Sequence, residues 1–413
     1  MEKLYNYFKD INLGYYTNID KIYVLGDIHG DLNKFLSFLK SIKIIKSSSF
    51  PKYYDVYKQC KNGEDIKKLN EDIIDYIEFD DDYLTSLRNI CIVQLGDITD
   101  GHLNCNMLYN SKFDYSNVKY INNDIAIYAV INAIMKKFKE LKHNCHFVLI
   151  LGNHDIENIF NIIGNDFKAL YSPCKYALNK KKFDNVYCNA WGNYILNDDE
   201  LTINDDKSKQ NLTYKKLQKR YFYLIKCFDI VHKMYLIVQI NNDKVFSHTL
   251  IYKPFIENIE NKINFIKPMT TNPYNVIKYI NSILKYFMLK ISKHESLTLK
   301  NINEIINSVI ISKEDENDVI NNLYNMTQTK SNNVIKDDAQ FTHKDIKHYF
   351  IGHEINEYIN KIKHSMFDLY YTDIGLTSSA YNVDTNKEKY YIVIDELNKT
   401  IEKCSNEECD NFE

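Results

Sequence analysis

Apolar and polar positions follow two periods along this chain. Ile22–Leu25 (IYVL), Ile90–Leu95 (ICIVQL) and His146–Leu151 (HFVLIL) are short, largely apolar runs, and each ends at a glycine followed by polar residues. A buried central strand with a loop at its carboxyl end reads this way. Between them the period changes. Leu32, Phe35, Leu36 and Leu39 recur at helical spacing, and so do Ile127, Val130, Ile131, Ile134 and Phe138. Further strands are predicted at Met234–Ile240 with Val245-Phe246, at Tyr349–Ile351, at Leu369–Tyr371 and at Tyr390–Ile394, the last after a turn near 384–389. Strand, loop and helix repeated three times predict α/β layering. Sites in such sheets gather at the carboxyl ends of the strands.

Two stretches interrupt the alternation. Residues 46–88 carry three serines, a polar helix-like segment and the acidic Asp80-Asp81-Asp82, which reads most simply as a solvated turn. Residues 254–345 are rich in Lys, Asn and Ile, with helical periodicity around 275–291 and 300–325. The expectation is a single domain over 1–413, its core near 20–45, 89–253 and 346–396. An insertion lies at 46–88 and a helical cap at 254–345. The acidic tail from Ser405 is expected to fray.

Composition narrows the function classes. The chain has 413 residues, net charge −3 and 52 Lys+Arg, of which only Arg88 and Arg220 are arginines. The charge balance gives no argument for nucleic-acid binding. No run approaches the roughly 18 apolar residues of a membrane helix, and the N-terminal residues lack the apolar core of a signal peptide. The nine cysteines include no CxxC pair; they read as reduced thiols of an intracellular, cytoplasmic protein.

The chemistry lies in the loops. Gly26-Asp27-Ile28-His29-Gly30, Gly96-Asp97-Ile98-Thr99-Asp100 and Gly152-Asn153-His154-Asp155 each follow a predicted strand, as do Ser247-His248 and Gly352-His353. Asp27, His29, Asp97, Asn153, His248 and His353 together offer two carboxylates, three imidazoles and an amide oxygen. Such a mixed set suits Mn, Fe or Zn. Six groups exceed the need of one tetrahedral ion and fit two ions sharing a carboxylate, an arrangement that stabilises attacking and leaving oxygens in phosphoryl transfer. A histidine beside a ligating Asn and oriented by a carboxylate is placed to protonate a leaving group, which singles out His154 and Asp100.

The three motifs, in this order and each after a strand, resemble those of the calcineurin-like metallophosphoesterases: GDxHG, GDxxDRG and GNHE. The resemblance covers roughly 20–160 and 234–395. It implies a four-layer α/β/β/α sandwich with two divalent or trivalent metal ions. Asp27, His29 and Asp97 would hold one; Asp97, Asn153, His248 and His353 the other. It implies His154 as general acid and Asp100 as its partner. The run Leu151–Asn158 and the segment Asp373-Ile374-Gly375 look most like the Shewanella-like branch of the phosphoprotein phosphatases.

The departures concern substrate. Asp100-Gly101-His102 stands where the family has Asp-Arg-Gly, and no arginine lies between His248 and His353. A lost Arg–phosphate contact costs about 1.5–3 kcal/mol of binding. His102 and Arg220 are the substrate-contact candidates; Arg220 belongs to a basic run from Lys215 that also reads as a solvated helix face. The expected activity is phosphate-monoester hydrolysis, most like a serine/threonine protein phosphatase, with a phosphoprotein or small phosphoester as substrate. A nucleotide or dinucleoside polyphosphate hydrolase and a non-catalytic protein keeping the fold are the alternatives.

Overall fold

A computed structural model describes residues 12–48, 72–98, 124–141, 143–160, 233–262, 273–293, 312–336, 344–354, 356, 358–373, 390–405 and 408–412. Two large sheets carry the architecture. The first has seven strands in the order β15-β14-β13-β2-β5-β6-β7. Its centre is parallel: β2 (Lys21–Leu25), β5 (Ile90–Gln94), β6 (Cys145–Ile150) and β7 (Met234–Tyr235). The antiparallel strands β13 (Tyr391–Asp395), β14 (Thr400–Cys404) and β15 (Cys409–Asn411) extend it on the β2 side. Every residue of β5 is buried, as continuous apolar runs in covered parallel sheets require.

The second sheet has six strands in the order β1-β8-β9-β10-β12-β11. These are β1 (Tyr15–Tyr16), β8 (Ile237–Ile240), β9 (Lys244–Ser247), β10 (His348–Ile351), β11 (Asn360–Lys363) and β12 (Asp368–Tyr371). Strands β9, β10 and β12 run parallel. A short hairpin of β3 (Ile45–Ser48) and β4 (Ile77–Phe79) stands apart. The sheets meet through Tyr16, whose hydroxyl lies 3.1 Å from that of Tyr235 and whose ring is 4.8 Å from His146.

Helices supply the outer layers. α1 (Leu32–Ser41) starts where the Asp31 side chain accepts from the Lys34 amide, satisfying one amide of the first turn. Its apolar stripe buries Leu32, Phe35, Leu36 and Leu39. α2 (Asp81–Ser86) is capped the same way by Asp80, so the acidic run expected as a turn begins a helix. α3 (Asp124–Leu141) buries Ile127, Val130, Ile131, Ile134 and Phe138 and packs on β6 and α1. Each such fully buried side chain contributes about 1.5–3 kcal/mol. α4 (Asn153–Phe160) follows β6 directly. The result is the four-layer α/β/β/α sandwich.

The segment expected as a cap is helical where described: α5 (Lys253–Lys262), α6 (Pro273–Lys293), α7 (Lys313–Asn325) and α8 (Ser331–Lys336). α6 covers the second sheet, packing on β8 and β1. α7 packs against both α5 and α4.

Three expectations are corrected. Met234–Ile240 is not one strand: it breaks at Leu236, and the chain passes there from the first sheet to the second. The tail does not fray at once but pairs as β15 with β14. Cys404 and Cys409 are not thiols: they form a disulfide across that pair, whereas Cys91 and Cys145 are free and buried.

The crossover at Leu236 leaves backbone groups without strand partners, and Asn281 of α6 meets them. Its fully buried amide accepts from the Leu236 amide (2.9 Å) and donates to the carbonyls of Leu13 (2.8 Å) and Ile237 (2.7 Å). Asn281→Leu leaves these groups buried without their partner. The expected loss of unfolding free energy is about 3 kcal/mol, since each unsatisfied buried group costs about 1–3. Urea denaturation measures it; an unchanged midpoint would refute the account.

Candidate metal centre

The parallel strands of both sheets end at one place. Asp27 and His29 follow β2, Asp97 follows β5, Asn153 and His154 follow β6, His248 follows β9 and His353 follows β10. Asp27, Asp97, Asn153, His154 and His248 are buried. All six predicted ligands come together here, with His154 among them.

Backbone ties hold the loops in register. The Ile28 and His29 amides both donate to the Asp97 carbonyl, at 3.1 and 2.7 Å, and the Gly30 amide donates to Ile98. The Gly352 amide donates to the His248 carbonyl. Three ligand residues adopt left-handed backbone: His29 (φ 48°), Asp97 (φ 48°) and His353 (φ 61°). For residues with a Cβ this costs about 1–2 kcal/mol each, and such strain persists where the surroundings over-determine it. Gly152 is required for a different reason. A Cβ there would lie 2.0 Å from Asp97 Oδ1, so any side chain displaces the carboxylate.

Asp97 is the hub. Its Oδ2 lies 3.4 Å from His248 Nε2 and 3.9 Å from both His29 Nε2 and His154 Nε2. Its Oδ1 accepts from the His154 amide at 2.9 Å. Asp27 stands on the flank: Oδ2 is 3.9 Å from His29 Nε2, Oδ1 is 3.7 Å from His248 Nδ1, and both oxygens accept from the His353 amide. His248 Nδ1 lies 2.7 Å from the Leu95 carbonyl, and its Nε2 lies 3.1 Å from Asn153 Oδ1.

The electrostatics separate the two carboxylates. Burial pushes Asp97 up, but the imidazoles of His248, His154 and His29 outweigh it and hold the carboxyl well below its usual range. Burial, Asp373 and Asp97 together push Asp27 well above that range. Burial works against the His248 cation, yet Asp97 beside it raises its pKa. Burial and the charge of His248 push His353 down to about 4.

The donor set fits a pair of metal ions. Two groups of ligand atoms each lie within 4.8 Å of one another: His29, Asp97 and His154, and Asp97, His248 and His353. Asp97 belongs to both. With bonds near 2.1 Å, donors on one ion stand roughly 3–4 Å apart, the spacing seen around Asp97. Buried carboxylates at this density need a cation beside them.

Some predicted residues lie outside the described residues: Asp100, His102 and Arg220. Others emerged only in three dimensions. Gln94, fully buried at the end of β5, donates to the carbonyls of Gly26 (3.3 Å) and Gly96 (2.6 Å) and accepts from the Gly96 amide. Asp155 accepts from the amides of Gly152 and Ile98, joining the second and third loops. Asp373, after β12, stands beside Asp27 and its charge pushes the Asp27 carboxyl up. Asp155 and Asp373 lie in motifs already read from the sequence, and the signal for Gln94 is a polar residue ending an apolar run.

The family model of the calcineurin-like phosphoesterases matches residues 20–357. No curated protein matches. Among solved structures, a cold-active protein tyrosine phosphatase is 12% identical with a TM-score of 0.46, covering 98% of this chain and 82% of its own. A cold-active protein-tyrosine phosphatase of a psychrophilic Shewanella is 12% identical with a TM-score of 0.40, covering 98% of this chain and 84% of its own. The phosphatase domain of the Legionella effector WipB is 17% identical with a TM-score of 0.36, covering 82% of this chain and 99% of its own. Motif order, the meeting of both sheets' loops at Asp97 and a match across most of the chain place this protein in the calcineurin-like phosphoesterase family.

Proposed function

We propose that this phosphoesterase hydrolyses phosphate monoesters with two metal ions and acts on phosphoserine or phosphothreonine in proteins. One observation carries the two-metal reading: the Asp97 carboxylate belongs to two donor groups, one with His29 and His154 and one with His248 and His353, and Asp27 flanks the first at 3.9 Å from His29. Asp27, His29 and Asp97 would hold one ion, and Asp97, Asn153, His248 and His353 the other, as Mn, Fe or Zn. When bound, such a pair supplies an activated water nucleophile and neutralises charge on the phosphoryl oxygens.

The chain's own residues do the rest. His154 protonates the departing alkoxide, with Asp100 as its orienting partner. The His154 amide donates to Asp97, so the acid and the shared ligand keep one register. Phosphate binding falls to His102, Arg220 and lysines, because Gly101 stands at the clamp position. The protein-substrate reading rests on the resemblance of Leu151–Asn158 and Asp373-Ile374-Gly375 to the Shewanella-like branch. Among the described residues no helix is long and apolar enough to cross a membrane.

A substrate panel tests this. Protein loaded with Mn, Fe or Zn is assayed on phosphoserine, phosphothreonine and phosphotyrosine peptides, a dinucleoside polyphosphate and an aryl phosphate. The phosphoserine and phosphothreonine peptides are expected to give the highest kcat/KM. Preference for the dinucleotide would move the protein among nucleotide hydrolases. No turnover with two ions bound would make it a scaffold.

A further inference from the structure

We propose that the turn joining α7 to α8, residues 326–331, positions the histidines of the second metal site, with Ser331 and Glu354 as positioning residues. The inference rests on the reading of His248 and His353 as ligands and adds what aims them.

Backbone groups stand beside both histidines. His248 commits Nδ1 to the Leu95 carbonyl (2.7 Å) and turns Nε2 towards Asn153 and Asp97. The His353 imidazole faces the backbone of Gln328. An imidazole with one nitrogen held by backbone presents the other to a metal in a defined orientation. The Leu95 carbonyl belongs to the sheet core, but Gln328 lies in the helical segment between the two sheet-bound histidines.

Three further contacts pin the turn to the ligand loops. The Thr249 hydroxyl, next to His248, donates to the Met326 carbonyl. The Ser331 amide donates to the Glu354 carboxylate, next to His353. The Ser331 hydroxyl, fully buried, lies 2.7 Å from that of Tyr371 at the end of β12. The clamp acts where the backbone needs it, since His353 holds φ at 61°. The same helix α7 packs on α4, which opens with Asn153. So one element touches the loops of His248 and His353 and the helix carrying Asn153, and it reaches the Asp27–His29 loop only indirectly, through the His353 amide that donates to Asp27.

Stepwise titration of metal-free full-length protein with Mn tests this by calorimetry, with the melting temperature recorded beside it. Wild type is expected to bind two ions. Ser331→Ala/Glu354→Ala is expected to bind the first at wild-type affinity and the second about 10–100-fold more weakly, the range for partners that orient metal ligands. Glu354→Gln keeps an acceptor oxygen for the Ser331 amide and is expected to bind like wild type. Two unchanged affinities in the double variant overturn the proposal. Equal weakening of both ions with a lowered melting temperature also overturns it, because the role is then general support. Loss of the second ion in Glu354→Gln overturns the hydrogen-bond account. Wild type binding fewer than two ions overturns the two-metal reading itself, a result distinct from the others.

Discussion

Asp97→Ala is expected to remove both metal ions and lower kcat/KM on any phosphomonoester by at least about 10³-fold. The carboxylate is buried and faces three imidazoles at 3.4–3.9 Å. Among the described residues no other side chain belongs to both donor groups. Its loss leaves Asp27 and His29 on one side and Asn153, His248 and His353 on the other, with no carboxylate shared between them. The first set is then one donor short, and the second has no anionic ligand for a dication beside a phosphate. The kinetic figure is a floor: removing a single electrostatic stabiliser of a transition state costs about 10²–10³, and here two are lost together. Metal content and kcat/KM on an aryl phosphate decide the matter. Two ions per chain and wild-type turnover in Asp97→Ala would exclude the centre described.

His154→Ala is expected to leave two ions bound and to slow hydrolysis according to the leaving group. With a seryl phosphate the departing alkoxide needs a proton, and loss of a general acid costs about 10²–10⁴-fold. With a nitrophenyl phosphate the leaving group is stable as an anion, so the loss is expected to be far smaller. The comparison is needed because His154 Nε2 stands 3.9 Å from Asp97 Oδ2 and its ring lies 5.2 Å from that of His29. That position suits either an acid or a ligand. Metal analysis separates them: an acid changes the leaving-group dependence and keeps both ions, whereas a ligand loses one ion and slows both substrates alike.

The strands that carry the site were legible because both sides of each are covered. A strand such as β5 must be apolar throughout, and the glycine that ends it marks where backbone or side chain comes too close for a Cβ. Gly96 and Gly152 fall at such places: a Cβ on Gly96 would lie 2.6 Å from His248 Nδ1. α1 was legible from its one buried stripe, and α3, buried throughout 126–134, from the helical spacing of its larger apolar residues. In 254–345 the helical period around 275–291 marks α6; that this helix packs on the second sheet, with Asn281 meeting the crossover at Leu236, depends on residues far along the chain. The disulfide was missed because spacing of five residues, without a compartment to argue from, looks like any other scatter of cysteines.

What the sequence determined by itself was the chemistry: which residue types end which strands, hence two carboxylates, an amide and imidazoles at one sheet edge, and a glycine where an arginine would clamp phosphate. Those are local facts, written in the order of residues along each loop. Tertiary structure alone decided that Asp97 is shared, that Gln94 and Asp155 lock three loops together, that His29, Asp97 and His353 hold left-handed backbone, and that residues 326–331 reach Thr249 and Glu354 beside the ligand histidines. These depend on atoms brought together from positions up to hundreds of residues apart, and no period or motif in a single chain records such a meeting.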